Sequence, residues 1–281
     1  MDMITLTKDD VMQLLPDRPV DMYKGQAGSV LLLCGSVGFS GAAYLAAMGA
    51  LRCGAGLVYL GVPRSIYEIV AGKLNEAIVF PLPDFRGKLS FFAARKIRNY
   101  LNRVDCVVIG PGIGRSYGTK YAVQYVLKHF KGPVILDADG INQVAKHKDI
   151  VRGRKGNTVL TPHEGEFRRL SDFSGTRFNR VVSLAKEIDA VVLLKGHKTL
   201  ISDGAKTYCN PTGNPGMATG GCGDVLAGMI GALCAQSIPP LQAAACGAWL
   251  HGMAGDISAQ ELSQMGMLPT DMLNVLPRLL K

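Results

Sequence analysis

No two of the seven cysteines, at positions 34, 53, 106, 209, 222, 234 and 246, follow a C-x-x-C spacing, and their number is odd. That excludes a disulfide framework and a paired-thiolate zinc site, and it reads as reduced intracellular cysteine. Charge is also scarce: charged residues make up 19% of the chain against 48% hydrophobic, which excludes a disordered chain. The 34 glycines follow no triplet period, so a collagen-like chain is excluded. There is no G-x-x-x-x-G-K-[ST] string, which removes the P-loop enzymes. Gly110-Pro-Gly-Ile-Gly114 has neither the spacing nor the following acidic residue of the dinucleotide fingerprint, which argues against a hydride-transferring Rossmann enzyme. Repeats, low-complexity segments and linkers are absent, so the 281 residues read as one domain spanning 1–281. The opening MDMITLTKDD is polar and acidic; no signal peptide is expected, and the location expected is cytoplasmic.

Uncharged stretches are present at Ala27–Leu51 and Val225–Leu250. A turn at Gly35–Gly41 breaks the first, and Pro239-Pro240 breaks the second. Each remaining piece is too short to span a bilayer, so no membrane segment is expected. The formal charge is +9, with residues 1–206 carrying 29 basic and 18 acidic side chains and residues 207–281 carrying 2 and 4. A basic excess suits an acidic partner. Nucleic acid is the weaker reading, because the basic residues are not interleaved with aromatics and no recognition module is visible. A phosphorylated small molecule fits better, and Lys146–Lys155 reads as a solvated basic face.

Short aliphatic runs end in Gly, Pro or Asp: Val30–Cys34, Leu57–Leu60, Cys106–Ile109, Val134–Leu136, Thr158–Leu160 and Val191–Leu194. They lack polar alternation, as strands buried on both faces of a parallel sheet do. Thr199–Ser202 and Lys206–Cys209 flank Asp203-Gly204 and read as a hairpin. Helix-length stretches lie between the strands, at Gly41–Cys53, Ser65–Ala71, Phe91–Asn102, Lys120–His129 and Asn179–Ile188. The chain then turns helical at Asp224–Gln236, Leu241–Gln260 and Asp271–Leu280. This alternation predicts an α/β fold with an open, mostly parallel sheet between helical layers. In such sheets ligands bind beyond the carboxyl ends of the strands, where this sequence puts five unusual loops.

The most informative loop is Asn210-Pro-Thr-Gly-Asn-Pro-Gly-Met-Ala-Thr-Gly-Gly-Cys-Gly-Asp224. Glycines let its backbone approach a ligand closely, and the helix predicted to start near Asp224 offers free N–H groups and a dipole to an anion. The amides around Gly221, Cys222 and Gly223 would form an anion hole, and Asp224 beside it can take a proton from a hydroxyl. The bland alternative is that Asp224 is only a helix N-cap. After Gly-Gly-Cys-Gly the catalytic reading is preferred. Asp137 and Asp139 can support a metal or simply cap a turn; the sequence leaves metal ligands unknown.

Gly-Cys-Gly-Asp224 resembles the anion hole and catalytic Asp of the ribokinase-like superfamily. A wider set is similar to one branch, the ADP-dependent NAD(P)H-hydrate dehydratases: Lys24–Ser29, Phe39–Ala43, Gly110–Gly114, Asp137–Asp139, Leu160-Thr-Pro-His-Glu-Gly-Glu166, Lys195-Gly196 and residues 210–231. The likeness runs from about residue 5 to 276 and implies a ribokinase-like three-layer αβα sandwich. It implies repair of nicotinamide cofactor hydrated at carbon 6: the S form of hydrated NADH or NADPH is phosphorylated on its hydroxyl and loses phosphate. ADP is the implied donor, with ATP possible, together with Mg²⁺, giving AMP and phosphate. It further implies that Asp224 is catalytic, that Lys195, Gly196, His197, Lys198, Thr199 and Gly223 contact the nucleotide, and that Ala42, Gly112, His163 and Asp224 contact the hydrate. Read on residues alone, His163 is better explained as a structural histidine of the turn after Pro162, and the resemblance reverses that reading. A homotetramer, and a separate epimerase in place of a fused domain, are also implied. Asn75-Glu76 departs from the Pro-Glu of many relatives and puts that loop's geometry in question. The alternatives are a hydroxyethylthiazole-kinase type of vitamin kinase and a non-catalytic nucleotide-binding regulator.

Overall fold

The computed structural model describes residues 3–280. Its strands are β1 (Met3–Thr5), β2 (Ser29–Leu33), β3 (Leu57–Pro63), β4 (Ile78–Leu82), β5 (Asp84–Phe85), β6 (Lys88–Leu89), β7 (Cys106–Ile109), β8 (Val134–Leu136), β9 (Thr158–Leu160), β10 (Val191–Leu194), β11 (Leu200–Ser202) and β12 (Thr207–Cys209). The helices are α1 (Lys8–Leu14), α2 (Ser40–Arg52), α3 (Tyr67–Ala71), α4 (Ala93–Leu101), α5 (Tyr117–His129), α6 (Asp139–Val144), α7 (Asp149–Arg152), α8 (Glu164–Leu170), α9 (Arg177–Ile188), α10 (Cys222–Ala235), α11 (Pro240–Leu262) and α12 (Pro269–Val275).

Ten strands form one sheet in the order β1-β12-β11-β10-β9-β8-β7-β2-β3-β4. Every neighbouring pair is parallel except those of β11, which runs antiparallel to β10 and β12 as the predicted hairpin requires. The central strands are buried along their length, and alternation splits their side chains between two cores. Val30 and Leu32 of β2 join the core under α2, α10 and α11, while Leu31 and Leu33 join the core under α4, α5 and α9. This is the expected αβα sandwich. Strands β1 and β4–β6 escaped prediction: β1 is three exposed edge residues, and β4 contains Pro81.

Both long uncharged runs resolve into separate buried elements, β2 with α2 and α10 with α11. Among the described residues no helix is long and apolar enough to cross a membrane. Helix α10 is buried from Val225 to Ala235, which explains its uniformly apolar sequence. It lies tight on α2: a Cβ on Gly228 would overlap the Ala46 carbonyl oxygen.

Two expectations need correction. Arg154 is not part of a solvated face. Its guanidinium donates to the carbonyls of Leu127, Phe130 and Gly132 and to Thr158 Oγ1, and burial lowers its pKa to about 10. Helix α10 begins at Cys222, two residues before Asp224, because Gly221 takes a left-handed backbone (φ 103°) and turns the chain early.

Candidate active site

The sheet order reverses direction between β2 and β7, so the loops leaving these strands part and open a crevice. They are tied together there: Gly35 N–H donates to the Pro111 carbonyl at 2.8 Å, and Ser36 Oγ–H to the Gly112 carbonyl at 2.7 Å. Ala42, in the first turn of α2, meets Gly112; a Cβ on Gly112 would sit 2.7 Å from that of Ala42. Residues 42 and 112, distant in sequence, thus share one wall of the crevice.

The start of α10 supplies the second part. Gly221 is its N-cap and carries no side-chain cap, so the first-turn N–H groups have no intrahelical carbonyl partners. Asp224 lies in this first turn, three residues past the cap, which removes the N-cap explanation of that residue. Burial, followed by the nearby Asp137 charge, raises its carboxyl to about 7; Lys195 opposes the rise. Cys222 Sγ lies 3.8 Å from Met272 Sδ, and burial pushes its thiol up to about 11.

Three strand ends meet this helix start. Lys195, just past β10, places Nζ 2.8 Å from Asp137 Oδ1, just past β8. Thr161, just past β9, donates Oγ–H to the same oxygen at 2.7 Å. Asp137 is 1% exposed, so these donors compensate a buried carboxylate. Burial opposes the Lys195 charge, but Asp137, Glu166 and Asp224 outweigh it and raise its pKa. A Cβ on Gly223 would lie 3.3 Å from Lys195 Nζ, which places the ammonium at the mouth of the N–H cluster.

A cavity of about 660 Å³ opens beside this point. Its wall includes Lys195 to Thr199, Gly223 and His163, so all the residues assigned to a nucleotide border one space. Ala42 and Gly112 are not on that wall. His163 borders the same cavity as Lys195–Thr199. It also performs the structural duty foreseen for it: Nδ1 accepts from the N–H groups of Gly165 and Glu166, and Glu166 Oε2 accepts from the His163 N–H, a reciprocal cap of α8. Asp139 accepts at Oδ1 from Arg115 (3.2 Å) and Asn142 (3.1 Å). Asn75 and Glu76 lie exposed before edge strand β4, remote in the sheet from the α10 start.

Sequence reasoning missed His251 and Arg177. His251, 7% exposed on α11, borders the cavity with Nε2 unpartnered; burial lowers its pKa to about 4, so it is neutral. Its signal was a single His in a helix rich in Ala and Gly. Arg177 opens α9 and bonds the backbone of the Lys195 loop, with no local signal at all.

A sheet with this reversal, carrying Gly-x-Gly-Asp at a buried helix start, defines a ribokinase-like α/β domain. Comparison agrees: a ribokinase-like superfamily protein of Enterococcus faecalis superimposes with a TM-score of 0.85 at 29% identity, covering 98% of this chain and 94% of that one. The profile of the NAD(P)H-hydrate dehydratases matches residues 30–278, and the chain belongs to that family. An ADP/ATP-dependent NAD(P)H-hydrate dehydratase of Bacillus subtilis, crystallised with ATP and Mg²⁺, is 29% identical with a TM-score of 0.81 over 99% of this chain and 98% of its own. The bifunctional NAD(P)H-hydrate repair enzyme Nnr of Moorella thermoacetica is 42% identical over 95% of this chain; this chain covers 52% of that protein, about half.

Proposed function

We propose that this domain restores NADH and NADPH from the S form of their C6 hydrates, with ADP as phosphoryl donor and ATP as an alternative. Asp224 accepts the proton of the C6 hydroxyl as its oxygen attacks the terminal phosphorus of the donor; with ADP, AMP leaves. The N–H groups of Gly221, Cys222 and Gly223 hold the transferring charge, in line with the electrostatic demand of phosphoryl transfer. Loss of phosphate from C6, with a proton from C5, then regenerates the ring double bond. One observation carries the reading: a carboxyl tuned to about 7 lies in the uncapped first turn of a buried helix, beside the Lys195–Asp137 pair. A base with a pKa near the working pH is what proton removal requires.

Lys195, Gly196, His197, Lys198, Thr199 and Gly223 are assigned to the nucleotide, and Ala42, Gly112, His163 and Asp224 to the hydrate. Among the described residues no three His, Cys, Asp or Glu side chains cluster as a metal cage. That fits Mg²⁺ carried by nucleotide phosphates, which keeps its waters and needs one or two carboxylates at most. Asp137, facing the helix start, is the side chain placed to touch it, and the ion would supply neutralisation of phosphate charge. The same reading includes one domain over 1–281, a cytoplasmic location, a homotetramer, and an epimerase, fused or separate, that feeds the S form.

The test is recovery of reduced-nicotinamide absorbance from hydrated NADH with Mg²⁺ and either donor. We expect turnover with ADP; no signal with either nucleotide sinks the proposal. Asp224→Asn should lower kcat by about 10²–10⁴-fold and leave nucleotide affinity near wild type. The wild-type rate should fall as pH drops through about 7, because protonated Asp224 cannot accept the proton.

A further inference from the structure

The loop assigned to the nucleotide has an unusual backbone. Gly196 has φ 144° and Lys198 has φ 53°, two positive-φ residues within three positions. A non-glycine residue in that region persists only where its surroundings hold it. Here the holding group is the Arg177 guanidinium. Nη1 donates to the His197 carbonyl at 2.7 Å, and Nη2 to the carbonyls of Leu194 and Lys195 at 3.3 and 3.4 Å. Nε donates to Glu164 Oε1 at 3.0 Å. A planar fork of donors suits this set, and a lysine ammonium would not reproduce it.

The position of Glu164 gives the contact its meaning. It is the first residue of α8 and follows His163, which borders the same cavity as Lys195–Thr199. Its other oxygen accepts from Arg180 Nη2 at 3.0 Å, and the Arg180 guanidinium lies 4.8 Å over the ring of fully buried Phe167. The chain His163-Glu164–Arg177–(Leu194 to His197) therefore fixes two loops on one anchored pair of helices. Carbonyls committed to Arg177 cannot face an anionic ligand, and the Lys195 N–H is held as well, donating to the Pro162 carbonyl at 2.9 Å.

We propose that Arg177 is the positioning residue that shapes the Lys195–Thr199 loop for its nucleotide, and that Glu164 couples this loop to the His163 loop. The proposal rests on the nucleotide reading given above. A merely structural ion pair predicts something else: Arg177 and Glu164 are 34% and 37% exposed, and pairs of that exposure add little to stability.

The experiment measures ADP and ATP affinity by calorimetry, and kcat and KM, for wild type, Arg177→Gln, Arg177→Lys and Glu164→Gln. For Arg177→Gln we expect nucleotide Kd and KM to rise about 10- to 100-fold, the scale of lost charge-assisted bonds, with kcat within about threefold and melting temperature little changed. Arg177→Lys should recover only part of the loss. Glu164→Gln should weaken both nucleotide and hydrate binding. Wild-type affinity for both nucleotides in Arg177→Gln overturns the proposal, as does full recovery in Arg177→Lys. If Arg177→Gln does not fold, the charge-retaining lysine variant decides alone: weakened binding supports, wild-type binding overturns. Failure of the wild-type protein to bind either nucleotide removes the underlying reading as well, and is recognised separately by that result.

Discussion

Asp224 carries a stability cost that follows from its role. Its folded pKa, about 7, is raised above the usual carboxylate value of 3.8, so the native state resists ionisation more than the unfolded chain does. The native state therefore holds more protons, and stability falls as pH rises between those two values. Asp224→Asn cannot ionise and escapes this cost. We expect the variant to unfold at a higher temperature than wild type at pH 8, with a gain on the order of 2–4 kcal/mol that shrinks as pH falls toward 4. Thermal melts across pH check it; a gain independent of pH would show that packing, not charge, distinguishes the two. The loops that carry the candidate residues Asp224, Lys195 and His163 were legible in the sequence because each is an unusual run beyond a strand end. Arg177 and His251 were not, because their meaning arises where α9 and α11 pass loops far away in the chain. His163 shows that two explanations of one residue are not exclusive: its Nδ1 caps α8 while the ring borders the cavity.

At the level of elements, α10 connects packing to chemistry. Its first turn bears the proposed anion hole and Asp224, and its body is pressed on α2 with no room at Gly228. Gly228→Ala must push the two helices apart, which we expect to cost about 1–3 kcal/mol in denaturant unfolding. The same shift should lower kcat, since it moves the helix start relative to Lys195. An alanine variant of unchanged stability would mean that the contact relaxes freely. Four strands, Cys106–Ile109, Val134–Leu136, Thr158–Leu160 and Val191–Leu194, were read from the sequence to the residue, because strands buried on both faces are continuously apolar and end sharply at loops. Edge elements were lost. The three-residue β1 pairs with β12 across most of the chain, and such a pairing leaves no local pattern. Short helices such as α6 and α7 were hidden by polar sequence, their stability coming from packing.

For the molecule as a whole, charge and topology act together. The basic excess lies before residue 207, in the part of the chain that carries five of the strand-end loops, and the proposed ligands carry several phosphates. Attraction of that kind raises association rates and is screened by salt. We expect kcat/KM to fall about two- to tenfold between low and physiological ionic strength, more steeply for hydrated NADPH than for hydrated NADH. A flat response in both would assign the charge to solvation alone. The seven thiols offer a different use of the same architecture. All are buried and unpaired, and six of them belong to the core under α2, α10 and α11, with Cys209 alone in the core under α4, α5 and α9. A thiol reagent added to the native protein therefore has nothing to attack until a layer opens. Labelling followed by mass spectrometry turns the chain into its own clock of breathing, timing the loosening of one helical layer by six sites and of the other by one.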